Sequence, residues 1–275
     1  MLPDVAHALR ETAAVEIMPR YRHLAEDEIS AKSGPHDLVT VADRGAEERL
    51  TTALTALLPG SAVVGEESVH TDPARYRALR GTAPVWIVDP IDGTRAFVHG
   101  EPGFCTLVAL AHHGRVLASW TYAPVTDRMA VAVRGGGAVL DGQPLISGAP
   151  PGDRPLRICV SHPEYTRGRQ RRALLGVIEA PPGEVETVRC ASAGLAYLDV
   201  ATGALDATAF SWPAAWDHAA GLLLVEEAGG TQLTLDGVPF RIAGDNALPF
   251  TAARDSGTAQ HILDLLAAGA AGAGD

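Results

Sequence analysis

The carboxylates of Asp89 and Asp92 stand three residues apart in Val85-Trp86-Ile87-Val88-Asp89-Pro90-Ile91-Asp92-Gly93-Thr94, directly after a short apolar run. On an irregular segment they offer hard oxygen ligands to a divalent cation, and so does the Ile91 carbonyl. Gly93 permits close approach of the backbone to a ligand, and a short helix opening at Thr94 would turn free N–H groups toward an anion. A divalent cation beside a phosphate is the chemistry these residues suggest. Other acids occupy comparable places: Glu66 and Glu67 follow Ala62-Val63-Val64-Gly65, and Asp217 lies where an apolar helix opens at Trp216.

Each acid also has an ordinary explanation. Asp217 reads as a helix N-cap, and Asp43, three residues after Thr40, reads as the acidic member of a capping box. Glu66 and Glu67 read as surface acids, and Asp89 and Asp92 as turn residues. Their recurrence at the ends of apolar segments favours a common site, because gathered carboxylates repel unless a cation neutralises them. Oxygen ligands without a His or Cys cluster select Mg²⁺ over Zn²⁺.

These acids must be positioned by the elements around them. Val5, Leu9, Ala13 and Ile17 line one face of a helix expected from Asp4 to Glu28, interrupted at Pro19. Leu50, Leu54 and Leu57 mark a second helix after Asp43. Val85 to Val88 has the composition of an interior strand, and pairing is expected to stop at Pro90. Runs at 104–111, 115–122 and 129–133 predict an antiparallel meander, with Asp141-Gly142 as a hairpin turn. From 156 to 228 strands and helices alternate, which implies an α/β arrangement. The Pro- and Gly-rich stretch from Ser147 to Pro155 predicts a boundary between an N-terminal α+β lobe (1–147) and a C-terminal α/β lobe (148–266), with 267–275 disordered.

With 275 residues, 47% of them hydrophobic, the chain can bury a large core. Its formal charge of −11 argues against a nucleic-acid partner, and the basic stretch Arg167 to Arg172 reads as a solvated helix face. Cys105, Cys159 and Cys190 lie in apolar segments without metal-ligand spacing and read as reduced core residues. No signal-peptide pattern and no bilayer-length apolar run is present, so the expectation is a cytoplasmic protein without membrane contact.

Three motifs, Gly65-Glu66-Glu67-Ser68, Asp89-Pro90-Ile91-Asp92-Gly93-Thr94 with Phe97-Val98-His99, and Trp216-Asp217-His218-Ala219-Ala220-Gly221, resemble the inositol monophosphatase family. Asp37-Leu38-Val39-Thr40 with Asp43, Ala201-Thr202-Gly203 and Glu227-Ala228-Gly229-Gly230 extend the resemblance over nearly the whole chain. It implies a layered αβαβα sandwich of the inositol monophosphatase/fructose-bisphosphatase type, a homodimer, and a phosphomonoesterase dependent on two or more Mg²⁺ ions.

By the same resemblance, Glu66, Asp89 and the Ile91 carbonyl hold one ion, and Asp89, Asp92 and Asp217 a second. Gly93 and Thr94 bind phosphate, Thr94 and Asp43 orient or deprotonate the attacking water, and Glu67 supports a weaker metal position. Inositol-specific members carry an acid several residues before Trp-Asp, where this chain has Ala209-Phe210-Ser211-Trp212-Pro213. The family's small-residue turn is Ala191-Ser192-Ala193 here, and Ser192 reads equally as a helix N-cap. Ser192, Ala193 and Phe210 are therefore the candidate substrate contacts. The expected substrate is a small phosphate ester, with inositol, histidinol, sugar and nucleotide 3′-phosphates as candidates. A non-catalytic regulatory or binding member of the family is the alternative class.

Overall fold

The computed structural model describes residues 1–32, 38–148, 152 and 154–272. Asp37 and part of the expected lobe boundary lie outside the described residues. In chain order the first half comprises α1 (Leu2–Thr12), β1 (Ile29–Ala31), β2 (Leu38–Thr40), α2 (Val41–Leu57), β3 (Ala62–Gly65), α3 (Glu66–Thr71), β4 (Val85–Asp92) and α4 (Thr94–Val98). The meander follows as β5 (Cys105–His112), β6 (Arg115–Ala123), β7 (Arg128–Val133), β8 (Gly137–Leu140) and β9 (Gln143–Leu145). The second half continues with β10 (Leu156–Val160), α5 (Gly168–Ile178), β11 (Val185–Arg189), α6 (Ala193–Thr202), β12 (Ala207–Phe210) and α7 (Ala215–Glu227). It closes with β13 (Thr231–Thr234), β14 (Phe250–Ala253) and α8 (Ser256–Ala271).

Two sheets carry the architecture. One has seven strands in the order β3-β4-β5-β6-β7-β8-β9, antiparallel except for the β3–β4 pair. The other has five in the order β11-β10-β12-β14-β13, with β10 parallel to both neighbours. Alternating side chains of β4 assign the faces of the larger sheet. Trp86 and Val88 pack with Leu9, Leu50 and Leu54 of α1 and α2, whereas Ile87 joins Leu198 of α6 and Leu223 of α7. The opposite sides of α6 and α7 meet the smaller sheet through Tyr197, Val225, Phe210 and Phe250. That sheet's far face is covered by Leu174 of α5 and Ile262 of α8. The layers thus run helix, sheet, helix, sheet, helix, and the two halves of the chain share a core through α6 and α7.

The first helix is shorter than expected. It passes through a π-helical turn at Ala13–Ile17, and the chain leaves it before Pro19, with only a 3₁₀ turn at Glu26–Glu28. The tail also departs from expectation, because α8 continues through Ala271 and is ordered over 267–271. Its alanines favour helix, and Gly269 lies against Gly176 of α5 so closely that a Cβ on Gly269 would sit 2.9 Å from the Gly176 Cα. The two helices touch backbone to backbone there, which docks the end of the chain.

Candidate active site

Sheet pairing does not stop at Pro90. Asp89 pairs with Leu107 and Asp92 with Cys105, so three steps along β4 face two along β5. This bulge accommodates the missing N–H of proline, while the Pro90 carbonyl accepts a hydrogen bond from Thr106 Oγ1 at 2.8 Å. It also re-aims the strand end, leaving Asp89 and Asp92 1% and 6% exposed. Gly93 then turns with φ +95°, where a Cβ would lie 2.6 Å from the Gly103 carbonyl oxygen, and α4 opens at Thr94.

Asp92 is surrounded by donors. Its Oδ2 accepts from Ser192 Oγ at 2.7 Å and the Gly194 amide at 2.5 Å, and its Oδ1 from the Ala193 amide at 3.2 Å. Ser192 is also the N-cap of α6, accepting from the Leu195 amide at 3.1 Å. Ser192 thus takes its N-cap reading and also holds the Asp92 carboxylate in place. Burial still raises the Asp92 pKa, with the donors opposing it.

Asp217 stands in the first turn of α7, whose N-cap is Ala214, so the capping role is not taken up. Its Oδ2 instead accepts from Trp212 Nε1–H at 2.9 Å. Trp212 is itself fixed by His218, whose Nε2 lies 2.9 Å from the Trp212 carbonyl and whose Nδ1 lies 2.9 Å from the Tyr197 hydroxyl. A carbonyl only accepts, so Nε2 carries the proton and Tyr197 donates to Nδ1. Burial pushes the His218 pKa down to about 3, which keeps this chain neutral.

Ligand oxygens of Asp89, Asp92 and Asp217 lie within 4.8 Å of one another. Both Asp89 oxygens are buried without a hydrogen-bond donor. Burial, then the neighbouring carboxylates, raises the pKa values of Asp89 and Asp217 well above the usual range. Buried polar atoms are normally satisfied, and like charges at this spacing need a counter-ion. An all-oxygen donor set fits a hard divalent cation. Glu66, Ile91, Gly93 and Thr94 line the same cavity of about 210 Å³ with these three acids.

Further acids form an outer group. Asp43 completes the expected capping box, its Oδ2 accepting from the Thr40 amide at 2.7 Å, while its Oδ1 lies 3.4 Å from Thr94 Oγ1. Thr94 Oγ1 is closer to the Ile91 carbonyl, at 2.9 Å. Burial pushes the Asp43 pKa up to about 6, partly offset by Thr40. Burial likewise brings Glu67 to about 7, opposed by Lys32.

Two residues were missed in the sequence. Lys32 Nζ lies 2.7 Å from Glu66 Oε1 and also contacts Glu67; burial opposes its charge, and the two acids raise its pKa. Glu47 accepts from the Glu67 and Ser68 amides at 2.7 and 2.8 Å, holding the start of α3. Its place four residues after Asp43, on the same face of α2, was the available signal.

A second cavity of about 380 Å³ opens from Asp92 and Ala193 between Ser161, His162, Tyr165 and Trp212. Ala193 lines it. Phe210 does not: it is fully buried among Tyr197, Trp212, His218 and Phe250. The last residue of β12 points its ring into the core between the smaller sheet and α7, so Trp212 rather than Phe210 presents the aromatic wall.

Comparison with known proteins agrees with this geometry. The family model described as the inositol monophosphatase family matches residues 2–269. An inositol-1-monophosphatase of Rhizobium meliloti is 38% identical over 209 residues, 74% of each chain. One of Mesorhizobium japonicum is 35% identical over 219 residues, again 74% of each. Among solved structures, an inositol monophosphatase of Thermotoga maritima superposes with a TM-score of 0.80, covering 98% of this chain and 97% of its own at 22% identity, which establishes the shared fold.

Proposed function

Because this chain belongs to the inositol monophosphatase family, we propose that it is a phosphoric monoester hydrolase that uses Mg²⁺ ions held by Glu66, Asp89, Asp92, Asp217 and the Ile91 carbonyl. The observation that carries this reading is the pair of orphaned Asp89 oxygens facing Asp92 and Asp217. When bound, Mg²⁺ would neutralise these acids and would supply Lewis-acid activation of water and of the leaving alkoxide.

The chain's own groups supply the rest. Gly93 and Thr94 direct backbone N–H groups at the phosphate from a turn that only glycine adopts without clash. Thr94 Oγ1, between the Ile91 carbonyl and Asp43, orients the attacking water, and Asp43 accepts its proton. A carboxylate brought to about 6 by burial suits proton transfer near neutral pH. Ser192 and the amides of Ala193 and Gly194 hold Asp92 in position, and Trp212 does the same for Asp217. Glu67, paired with Lys32, supports a weaker cation position.

The substrate reading is a small phosphate ester, inositol monophosphate being the first to test on the names of the relatives. The reading includes a cytoplasmic homodimer; among the described residues no helix is long and apolar enough to cross a membrane. The test is phosphate release from a panel of small monoesters with Mg²⁺, alongside calorimetric Mg²⁺ titration of the parent and Asp217→Asn. Release that needs Mg²⁺, with weakened binding by the variant, is the expected result. No release from any ester, or equal Mg²⁺ binding by the two proteins, overturns the reading.

A further inference from the structure

The first turn of α7 has no cap of its own. Ala214 at the N-cap offers no side-chain acceptor, and the Asp217 carboxylate is given over to the Trp212 indole and to the cluster with Asp89 and Asp92. The opening N–H groups of a helix find no partner within it, so they need one from elsewhere. Tyr76 supplies it. Its hydroxyl accepts a hydrogen bond from the Ala215 amide at 3.2 Å and lies 3.3 Å from both the Pro213 and the Ile242 carbonyls, to one of which it donates its single proton. The half-buried Tyr76 ring also meets Trp216 edge-on, with centroids 6.0 Å apart.

Tyr76 stands on a 3₁₀ helix (Pro73–Arg80) that follows α3 and is anchored at each end. Asp72 caps it, accepting from the Ala74 amide at 3.1 Å, and the Arg80 guanidinium donates to the Ala243 carbonyl at 3.1 Å and to Asp245 at 2.9 Å. Between them Leu79 is buried in the core that also holds Val69, Ala215, Ala219 and Ile242. The stretch from Glu66 to Arg80 therefore touches both sides of the metal site. Glu66 at its start lines the cavity, and Tyr76 further along grips the turn that carries Asp217. Ala215 and Asp217 share that turn, so the hydroxyl that holds the amide of one also sets the depth of the other's carboxylate.

We propose that Tyr76 is a positioning residue for the metal site: its hydroxyl caps α7 from a separate element and sets Asp217 at the separation from Asp89 and Asp92 that a shared cation requires. The inference rests on the Mg²⁺ reading above and adds to it a residue outside the acid-bearing motifs. Phenylalanine at this position keeps the packing on Trp216 and frees the first turn of α7 to shift. The loss then falls on the cation that Asp217 holds and spares the one assigned to Glu66.

Calorimetric Mg²⁺ titration of the parent, Asp217→Asn and Tyr76→Phe tests the proposal. Asp217→Asn identifies the binding step that depends on the α7 carboxylate. Tyr76→Phe should weaken that same step about tenfold and leave the other within about twofold. Adding Ala214→Ser to Tyr76→Phe puts a capping hydroxyl on the helix itself and should restore most of the lost affinity, a rescue that a packing role for Tyr76 would not allow. Unchanged Mg²⁺ affinity in Tyr76→Phe, equal loss at both steps, or no recovery with Ala214→Ser overturns the proposal. A parent that binds no Mg²⁺, or binds it no better than Asp217→Asn, overturns the metal reading instead. The grip on α7 is then judged by amide hydrogen exchange: Tyr76→Phe should speed exchange of the Ala215 amide at least about tenfold, and unchanged exchange there overturns it.

Discussion

Replacing Asp89 by asparagine should stabilise the metal-free protein while abolishing its response to magnesium. Asp89 is 1% exposed, its oxygens have no donor, and burial followed by Glu66, Asp92 and Asp217 raises its pKa. Without metal at neutral pH, the folded state either retains a proton there or carries an unpaired buried charge. Asparagine keeps the shape, removes the charge and gains an N–H that can donate to Asp217. Relief of an unsatisfied buried polar group is worth about 1–3 kcal/mol. At roughly 2–4 °C per kcal/mol for chains approaching this size, the metal-free variant should melt roughly 2–12 °C above the metal-free parent. Magnesium should offset this difference, since a cation at 100 times its Kd stabilises the parent by about 2.7 kcal/mol and the variant lacks the ligand that the proposed function assigns to both ions. Scanning calorimetry in EDTA and in Mg²⁺ measures both arms, and phosphate release from the same samples should fall by at least about a hundredfold. A variant that melts below the parent in EDTA, or that keeps the full magnesium shift, would refute this account of the acid cluster.

Metal-free stability should fall as pH rises. An acid whose folded-state pKa is raised binds more protons folded than unfolded, and Asp43 and Glu67 place the window from about 4 to about 7, their ordinary values being 3.8 and 4.5. Melting curves taken across that range in EDTA should decline, and Mg²⁺ should flatten the decline. Gly194→Ala puts a Cβ 2.5 Å from Leu107 Cδ2 and 3.0 Å from Asp92 Oδ2. It should cost about 1–3 kcal/mol in thermal unfolding and weaken Mg²⁺ binding as Asp92 shifts. Trp212→Phe deletes the donor to Asp217 Oδ2 and should weaken Mg²⁺ about tenfold by calorimetric titration, with unchanged affinity counting against the bond.

Local signals carried much of this structure. The apolar run of β4, the turn glycine at 93 and the alternation after residue 156 are properties of short segments, and each element formed close to its expected place. The acids converged because Asp89 and Asp92 share one strand end while α7 lies across the same face of that sheet. What stayed hidden depends on partners distant in the chain. Asp217 looked like a cap until Trp212 was found bonded to it, and Phe210 looked like a pocket residue until the second sheet placed its ring inward. Lys32 carries no periodic or motif signal and acquires its role only through contacts more than thirty residues away. The alanine-rich end read as disordered because composition alone does not reveal that Gly176 waits opposite Gly269.

The grip of Ser192, Ala193 and Gly194 on Asp92 has a consequence for biosynthesis. A chain that has left the ribosome only as far as β9 already contains Asp89 and Asp92, yet it lacks both the donors that hold Asp92 and the third acid, Asp217. Ions in the cell therefore meet no complete chelator until α6 and α7 have been synthesised and laid against the meander. On the Mg²⁺ reading proposed above, cation capture would follow the docking of α7 and would be closed to truncated or half-folded chains.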